Sequence, residues 1–282
     1  MDGRSPNLVA EIGCVHGGSL DRAMHLISLA STSGACAVKS QKRNPYKSVP
    51  DSIRNCPHPT PHFSFGSTYL EHRLNLELSV ESHMAMSDRC SELGLRYGVS
   101  VWDEDSIFDM KHVGLDFVKI PSACCMDFHL IDLALRNFEC QVHVSIGMTS
   151  LLQRQSIFNH LRQYVSRVVV YHTTSEYPCP FSRLHLLEIS RIKDEGFVAG
   201  FSNHGYGIAA DIAAMSLGAS WIERHFVDDR TYPHTDAAAS LEPSGLKTLR
   251  RDLDNVAEAL TVKPIHMSEE ESRQAKKLRS HS

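Results

Sequence analysis

The sequence predicts a single (β/α)₈ barrel of the α/β class. Three observations carry this. Eight short apolar runs alternate with helix-length segments along the chain. Nearly every run ends in polar residues, as strands do at the active-site face of such a barrel. The chain has 282 residues, close to the about 250 typical of the fold.

The first run is LVAEIG at Leu8–Gly13, followed by a helix over Leu20–Ser33. The second is CAVKSQ at Cys36–Gln41, with its helix at Ser79–Leu93. YGVSVW (Tyr97–Trp102) and FVKIPS (Phe117–Ser122) are the third and fourth. CQVHVSIG (Cys140–Gly147) is the fifth and leads into a helix at Leu151–Gln163. RVVVYHT (Arg167–Thr173) is the sixth. VAGFSNH (Val198–His204) is the seventh and precedes a helix at Gly207–Leu217. WIERHF (Trp221–Phe226) is the eighth, and its helix covers Pro243–Leu260. Pro243 sits where a first-turn proline belongs. Leu246, Leu249, Leu253, Val256 and Leu260 fall on one face of that helix. Parallel returns need crossovers, so eight βα units imply a parallel sheet. An open doubly wound sheet obeys the same rule. The count of eight favours closure, and no GxGxxG follows the first strand.

The barrel is assigned to residues 1–265 and a charged tail to 266–282, expected as a frayed helix or disorder. The connection from Arg43 to Gly66 holds five of the twelve prolines. It reads either as a lid over the barrel mouth or as a floppy insertion. Apolar residues are 42% and charged residues 22% of the chain, a globular composition. The formal charge of −4 leaves no basic field for nucleic acid. No uncharged apolar run reaches the roughly 18 residues a membrane span needs. The opening MDGRSPNLVAEIG lacks the apolar stretch of a signal peptide. Eight cysteines form no CxxC pair. These features predict a soluble, cytoplasmic protein with reduced thiols.

The strand ends bring polar groups to one face. Glu11 lies in the first strand, and Lys39 and Gln41 end the second. Lys119 and Ser122 end the fourth, and Ser145 ends the fifth. His172, Thr173 and Ser175 follow the sixth, Ser202 and His204 end the seventh, and Glu223 and His225 end the eighth. Such a ring predicts an active site there.

The same residues resemble the sialic acid synthases, which condense phosphoenolpyruvate with an aldose. The anchors are AEIG (Ala10–Gly13), AVKSQ (Ala37–Gln41), VKIPS (Val118–Ser122), SIGM (Ser145–Met148) and HTTSEYP (His172–Pro178). FSNHGYGI (Phe201–Ile208), LGASWIERHF (Leu217–Phe226) and ASLEP (Ala239–Pro243) complete the set. Eight anchors in order, from about Leu8 to Leu260, make the match specific. The resemblance implies that Lys39, Lys119, Ser122, Ser145, Ser175 and Ser202 bind phosphoenolpyruvate. It implies Gln41, Tyr177 and Asp236 for the aldose acceptor, and Glu11, His204, His225 and Asp236 for catalysis. His204 and His225 match metal-binding histidines, with Mn²⁺ expected and Mg²⁺ or Co²⁺ as alternatives. A homo-oligomer is expected by analogy.

The pattern also departs from the family. EIGCVHGG (Glu11–Gly18) has Val15 and Gly17 where asparagines are usual. Cys124 replaces an acidic residue, Trp102 a proline, and Ala237–Ala239 lacks the usual basic residue. These changes fall at the mouth and should alter acceptor recognition. The small C-terminal antifreeze-like domain of bacterial relatives is not expected in the residues after Leu260. Cys14 follows the first strand like a metal-binding cysteine in related ketodeoxyoctulosonate phosphate synthases; a buried thiol is the alternative. A barrel lyase and a catalytically silent sugar- or partner-binding barrel are the rival readings.

Overall fold

The computed structural model describes residues 5–232, 234 and 236–280. Its strands are β1 (Asn7–Gly13), β2 (Ala37–Lys42), β3 (Arg96–Val101), β4 (Phe117–Ile120), β5 (Gln141–Ser145), β6 (Val168–Thr173), β7 (Val198–Asn203) and β8 (Trp221–His225). They pair in parallel in chain order, and β8 closes on β1. The expected closed barrel is therefore formed. Helix α1 (Leu20–Thr32) follows β1. The connection after β2 carries α2 (Pro45–Ser48), α3 (Tyr69–Leu76) and α4 (Val80–Glu92). Next come α5 (Glu104–Met110), α6 (Phe128–Asn137), α7 (Leu151–Leu161), α8 (Glu188–Asp194), α9 (Ala209–Ser216) and α10 (Pro243–Ala259). No helix among the described residues is long and apolar enough to cross a membrane.

Two segments are more ordered than the sequence reading expected. Helix α3 starts at a capping box, in which Thr68 accepts from the Glu71 N–H and Glu71 accepts from the Thr68 N–H. The tail forms α11 (Glu269–Leu278), capped by Ser268, with glutamates in its first turn and lysines in its last. It buries no residue. Its own charges and cap, rather than core packing, support it.

Strand side chains alternate between two environments, as the pleat requires. Outward residues such as Leu8, Val38, Val99, Val118 and Ile222 pack under the helices in the main core. Inward residues form layers. Val9, Ala37, Phe117, Val169, Tyr171 and Trp221 make a separate apolar floor inside the barrel. Gly98 lies opposite Phe117 in the β3–β4 register, and a Cβ there would sit 2.3 Å from the ring. The missing side chain is what lets the ring fill the interior. Two residues further along β1 to β4, β7 and β8 the inward positions turn polar, with Glu11, Lys39, Ser100, Lys119, Ser202 and Glu223 forming the layer above the floor.

Candidate active site

The polar layer is a set of compensating charges. Lys119 Nζ donates to both oxygens of Glu223, at 2.7 and 2.8 Å. Lys39 Nζ pairs with Glu11, donates to Ser100 Oγ at 2.7 Å and lies 3.9 Å from Glu223. Ser202 Oγ donates to Glu223 at 3.0 Å. All four charged groups are buried. Two lysines and two glutamates share a space from which water is largely excluded, so each offsets the desolvation of its neighbours. Burial pushes the Glu11 carboxyl up to about 7, against the pull of Lys39. Burial pulls Lys119 down to about 8, against the pull of Glu223. Burial also raises Glu223, but Lys119 and Lys39 more than offset this and hold it well below the usual carboxylate range.

Above this layer is a chamber of about 110 Å³. Lys39, Lys119 and Glu11 form its base, and Ser122, Ser145, Ser175 and Ser202 stand around its wall. Gln41, Tyr177, His204 and His225 line it nearer the mouth. Eleven of the twelve residues to which the resemblance gives a role thus meet in one place. Gly147 shapes the wall. Its N–H donates to Ser122 Oγ at 3.2 Å. A Cβ at this position would lie 2.7 Å from Ser175 Oγ and 2.8 Å from Ser122 Oγ. The glycine therefore leaves open a small cradle of hydroxyl groups, of the size and polarity an oxyanion needs.

The twelfth residue, Asp236, lines a second chamber of about 230 Å³. This space shares Gln41, Trp102, Tyr177 and His225 with the first. Cys14 lies there too, with its sulfur 3.9 Å from Arg73 Nη1. Part of the 43–66 connection walls the space through Arg43, Phe63 and Phe65. That segment is thus built against the mouth.

The two histidines sit at the junction of the chambers, with ring centroids 5.4 Å apart and Tyr177 packed on both. His204 Nδ1 is 2.9 Å from the Thr174 carbonyl, so it carries the proton and leaves Nε2 with the lone pair. His225 Nδ1 is buried without a hydrogen-bond partner and lies 3.9 Å from Asp236 Oδ2. Burial first, and the nearness of the His225 imidazole second, lowers His204 to about 3. Burial likewise lowers His225 to about 3. Neutral imidazoles are the form that binds a divalent cation, and the orphaned His225 nitrogen fits that use. Among the described residues, no group of three or more His, Cys, Asp or Glu side chains is placed to hold a metal. Cys14 is therefore not assembled with His204 and His225 into such a group.

Residues with no role assigned from the sequence complete the site. Glu223 shares the inward face of β8 with His225, two positions away, and strand alternation was the signal that could have assigned it. Arg224, between them, faces outward. It binds Asp211 at 2.7 Å and the carbonyls of Gly207 at 2.7 Å, Gly205 at 3.0 Å and Ala239 at 3.2 Å. This buried guanidinium ties the loop after His204 to the segment after Asp236. It holds that edge of the mouth in place.

Comparison with known proteins agrees with this architecture. Residues 26–264 match the model of the NeuB family. The N-acetylneuraminate-9-phosphate synthase of Homo sapiens is 30% identical over 255 residues, covering 90% of this chain and 70% of that protein. The N,N'-diacetyllegionaminic acid synthase of Campylobacter jejuni is 28% identical over 257 residues, covering 90% of this chain and 77% of that protein. A crystal structure of the N-acetylneuraminic acid (sialic acid) synthetase from Leptospira borgpetersenii, in complex with citrate, superposes with a TM-score of 0.82 at 23% identity. It covers 99% of this chain and 94% of that one, and the likeness carries the fold. With a family model matched over residues 26–264 and a 30% identical relative spanning nine-tenths of its length, the chain belongs to the NeuB family.

Proposed function

We propose that this protein condenses phosphoenolpyruvate with an aldose to give a 3-deoxy-2-keto sugar acid and inorganic phosphate. The observation that supports it most is the single chamber in which two buried lysines and a cradle of serine hydroxyls lie beneath two neutral histidines. Phosphoenolpyruvate carries a carboxylate and a phosphate, and both are anions that Lys39 and Lys119 attract. Ser122, Ser175 and the space at Gly147 supply short hydrogen-bond donors for oxyanion oxygens. The acceptor enters through the second chamber, with its aldehyde at the junction beside Tyr177 and His225.

In the reaction, the methylene carbon of phosphoenolpyruvate forms a bond to the aldehyde carbon, whose C=O π pair passes to the oxygen, which takes up a proton. Water adds at the adjacent cationic carbon and loses a proton; the C–O bond from that carbon to phosphate then breaks as its new hydroxyl becomes the ketone, and inorganic phosphate leaves. Lys39 and Lys119 hold the anionic substrate against Glu223 and Glu11. Glu11, raised to about 7, is able to hold or give up a proton below the reacting carbons. The walls exclude bulk water, which strengthens each of these charges. His204 and His225 would hold a divalent cation, Mn²⁺ in the first instance, which when bound supplies Lewis-acid polarisation of the aldehyde oxygen.

The test is phosphate release from phosphoenolpyruvate with Mn²⁺ across a panel of aldoses. Release that depends on one aldose is expected. No release with any of them would overturn the reading.

A further inference from the structure

The second chamber contains two cations that the proposed chemistry does not use. Arg43 is 6% exposed. Its guanidinium lies 3.7 Å over the Trp102 ring and donates to Gln41. Its Nε is buried without a hydrogen-bond partner, 3.8 Å from Glu77. Arg73 has no carboxylate within ion-pair distance among the described residues. Its donors reach only the Tyr69 hydroxyl, at 2.9 and 3.3 Å, and the Cys14 sulfur.

The opposing acids do not match these charges. Glu77 is engaged by the Arg43 backbone N–H at 3.1 Å and lies 3.9 Å from Lys42. Burial pushes it up to about 7. Asp236 lies at the other side of the chamber, against His225. The remaining titratable groups facing the space are Cys14 and Tyr177, both raised and so kept uncharged by burial, and His72 and His234, both held neutral by burial. A buried guanidinium with an empty donor is costly unless an anion meets it. Arginine's planar fork suits phosphate oxygens in particular.

We propose that Arg43 and Arg73 form an anion subsite that takes the phosphate monoester of a phosphorylated aldose acceptor. The proposal rests on the synthase reading. It places the aldehyde at the His225–Tyr177 junction and the phosphate at the far wall of the chamber. Family membership does not decide the point, because the arginine pair lies in the mouth, not in the phosphoenolpyruvate chamber.

The experiment is isothermal titration of the protein with matched pairs: N-acetylmannosamine and its 6-phosphate, mannose and its 6-phosphate, and arabinose and its 5-phosphate. Phosphate release from phosphoenolpyruvate is followed with the same sugars. At least one phosphorylated sugar should bind on the order of ten- to a hundredfold tighter than its parent. In Arg73→Gln and Arg43→Gln that ratio should collapse toward one, with the KM for phosphoenolpyruvate held. No preference for any phosphorylated sugar in the wild-type protein would overturn the subsite, whatever the variants do. An equal loss for both members of a pair, or a raised KM for phosphoenolpyruvate, would also overturn it. Preferential binding without phosphate release would instead sustain the subsite and refute the synthase reading. Release with unphosphorylated sugars alone would do the reverse.

Discussion

Glu223→Gln is the sharpest probe of the buried charge layer. The substitution keeps the shape and removes one negative charge. Lys119 then loses a two-oxygen acceptor at 2.7 and 2.8 Å, Lys39 loses a charge at 3.9 Å, and Ser202 loses a charged acceptor. Glu11 is left facing two lysines. Removing one member of a buried pair costs about 3–5 kcal/mol. For a domain of this size that corresponds to a fall in melting temperature of roughly 6–20 °C. The Lys119→Met/Glu223→Met double variant removes both charges in favour of apolar atoms of similar size. It should regain most of the lost stability, since a buried pair and a packed apolar pair are often close in energy. It should nonetheless fail to turn over phosphoenolpyruvate. Scanning calorimetry on the wild type, Lys119→Met, Glu223→Met and the double variant closes the cycle. A Glu223→Gln protein that melts with the wild type, beside a double variant no more stable than either single one, would refute the charged quartet.

The other predictions concern separate parts of the molecule. Gly147→Ala should raise the KM for phosphoenolpyruvate by roughly ten- to a hundredfold, because its methyl displaces Ser122 and Ser175 from the cradle; an unchanged KM in steady-state phosphate release would remove that cradle from the binding site. His225→Ala should abolish turnover and Mn²⁺ binding measured by electron paramagnetic resonance, whereas Cys14→Ser should leave Mn²⁺ affinity intact; full Mn²⁺ affinity without His225 would dismiss it as a ligand. His83 is buried with Nδ1 2.8 Å from the Tyr97 hydroxyl, and burial lowers it to about 3. Its folded pKa lies below the unfolded one, so its contribution is present above about pH 6.5 and is lost as pH falls toward 3. Between pH 6.5 and 5 the loss is about 2 kcal/mol, and His83→Gln should flatten that limb of a urea-denaturation series; an unaltered pH slope would contradict the assignment.

Legibility in the sequence followed the range of the interactions. Strand alternation is a local property, so Glu11, Lys39, Lys119, Ser202 and His225 were recognisable as strand-end residues and do face one chamber. The helix at Tyr69–Leu76 carried a local signal in Thr68 and Glu71, which the proline-rich stretch before it obscured. Glu223 was visible as a strand-end acid but had no role until Lys119, 104 positions away, was found beside it. Arg43 and Arg73 gave no sign at all, because Arg43 lies just past the end of β2 and Arg73 on α3 within the long connection, and the barrel beneath decides where that connection runs.

The sequence alone determined the barrel, the parallel order and the ring of polar groups at its mouth. Period-two burial and strand-end chemistry are written residue by residue, and the count of eight such units favours a closed sheet over an open one. Only the tertiary structure decided which charges compensate which. It alone separated the mouth into two chambers and left a buried arginine donor without a partner in the second. Desolvation makes those pairings energetic, and desolvation depends on what the fold brings together from distant parts of the chain.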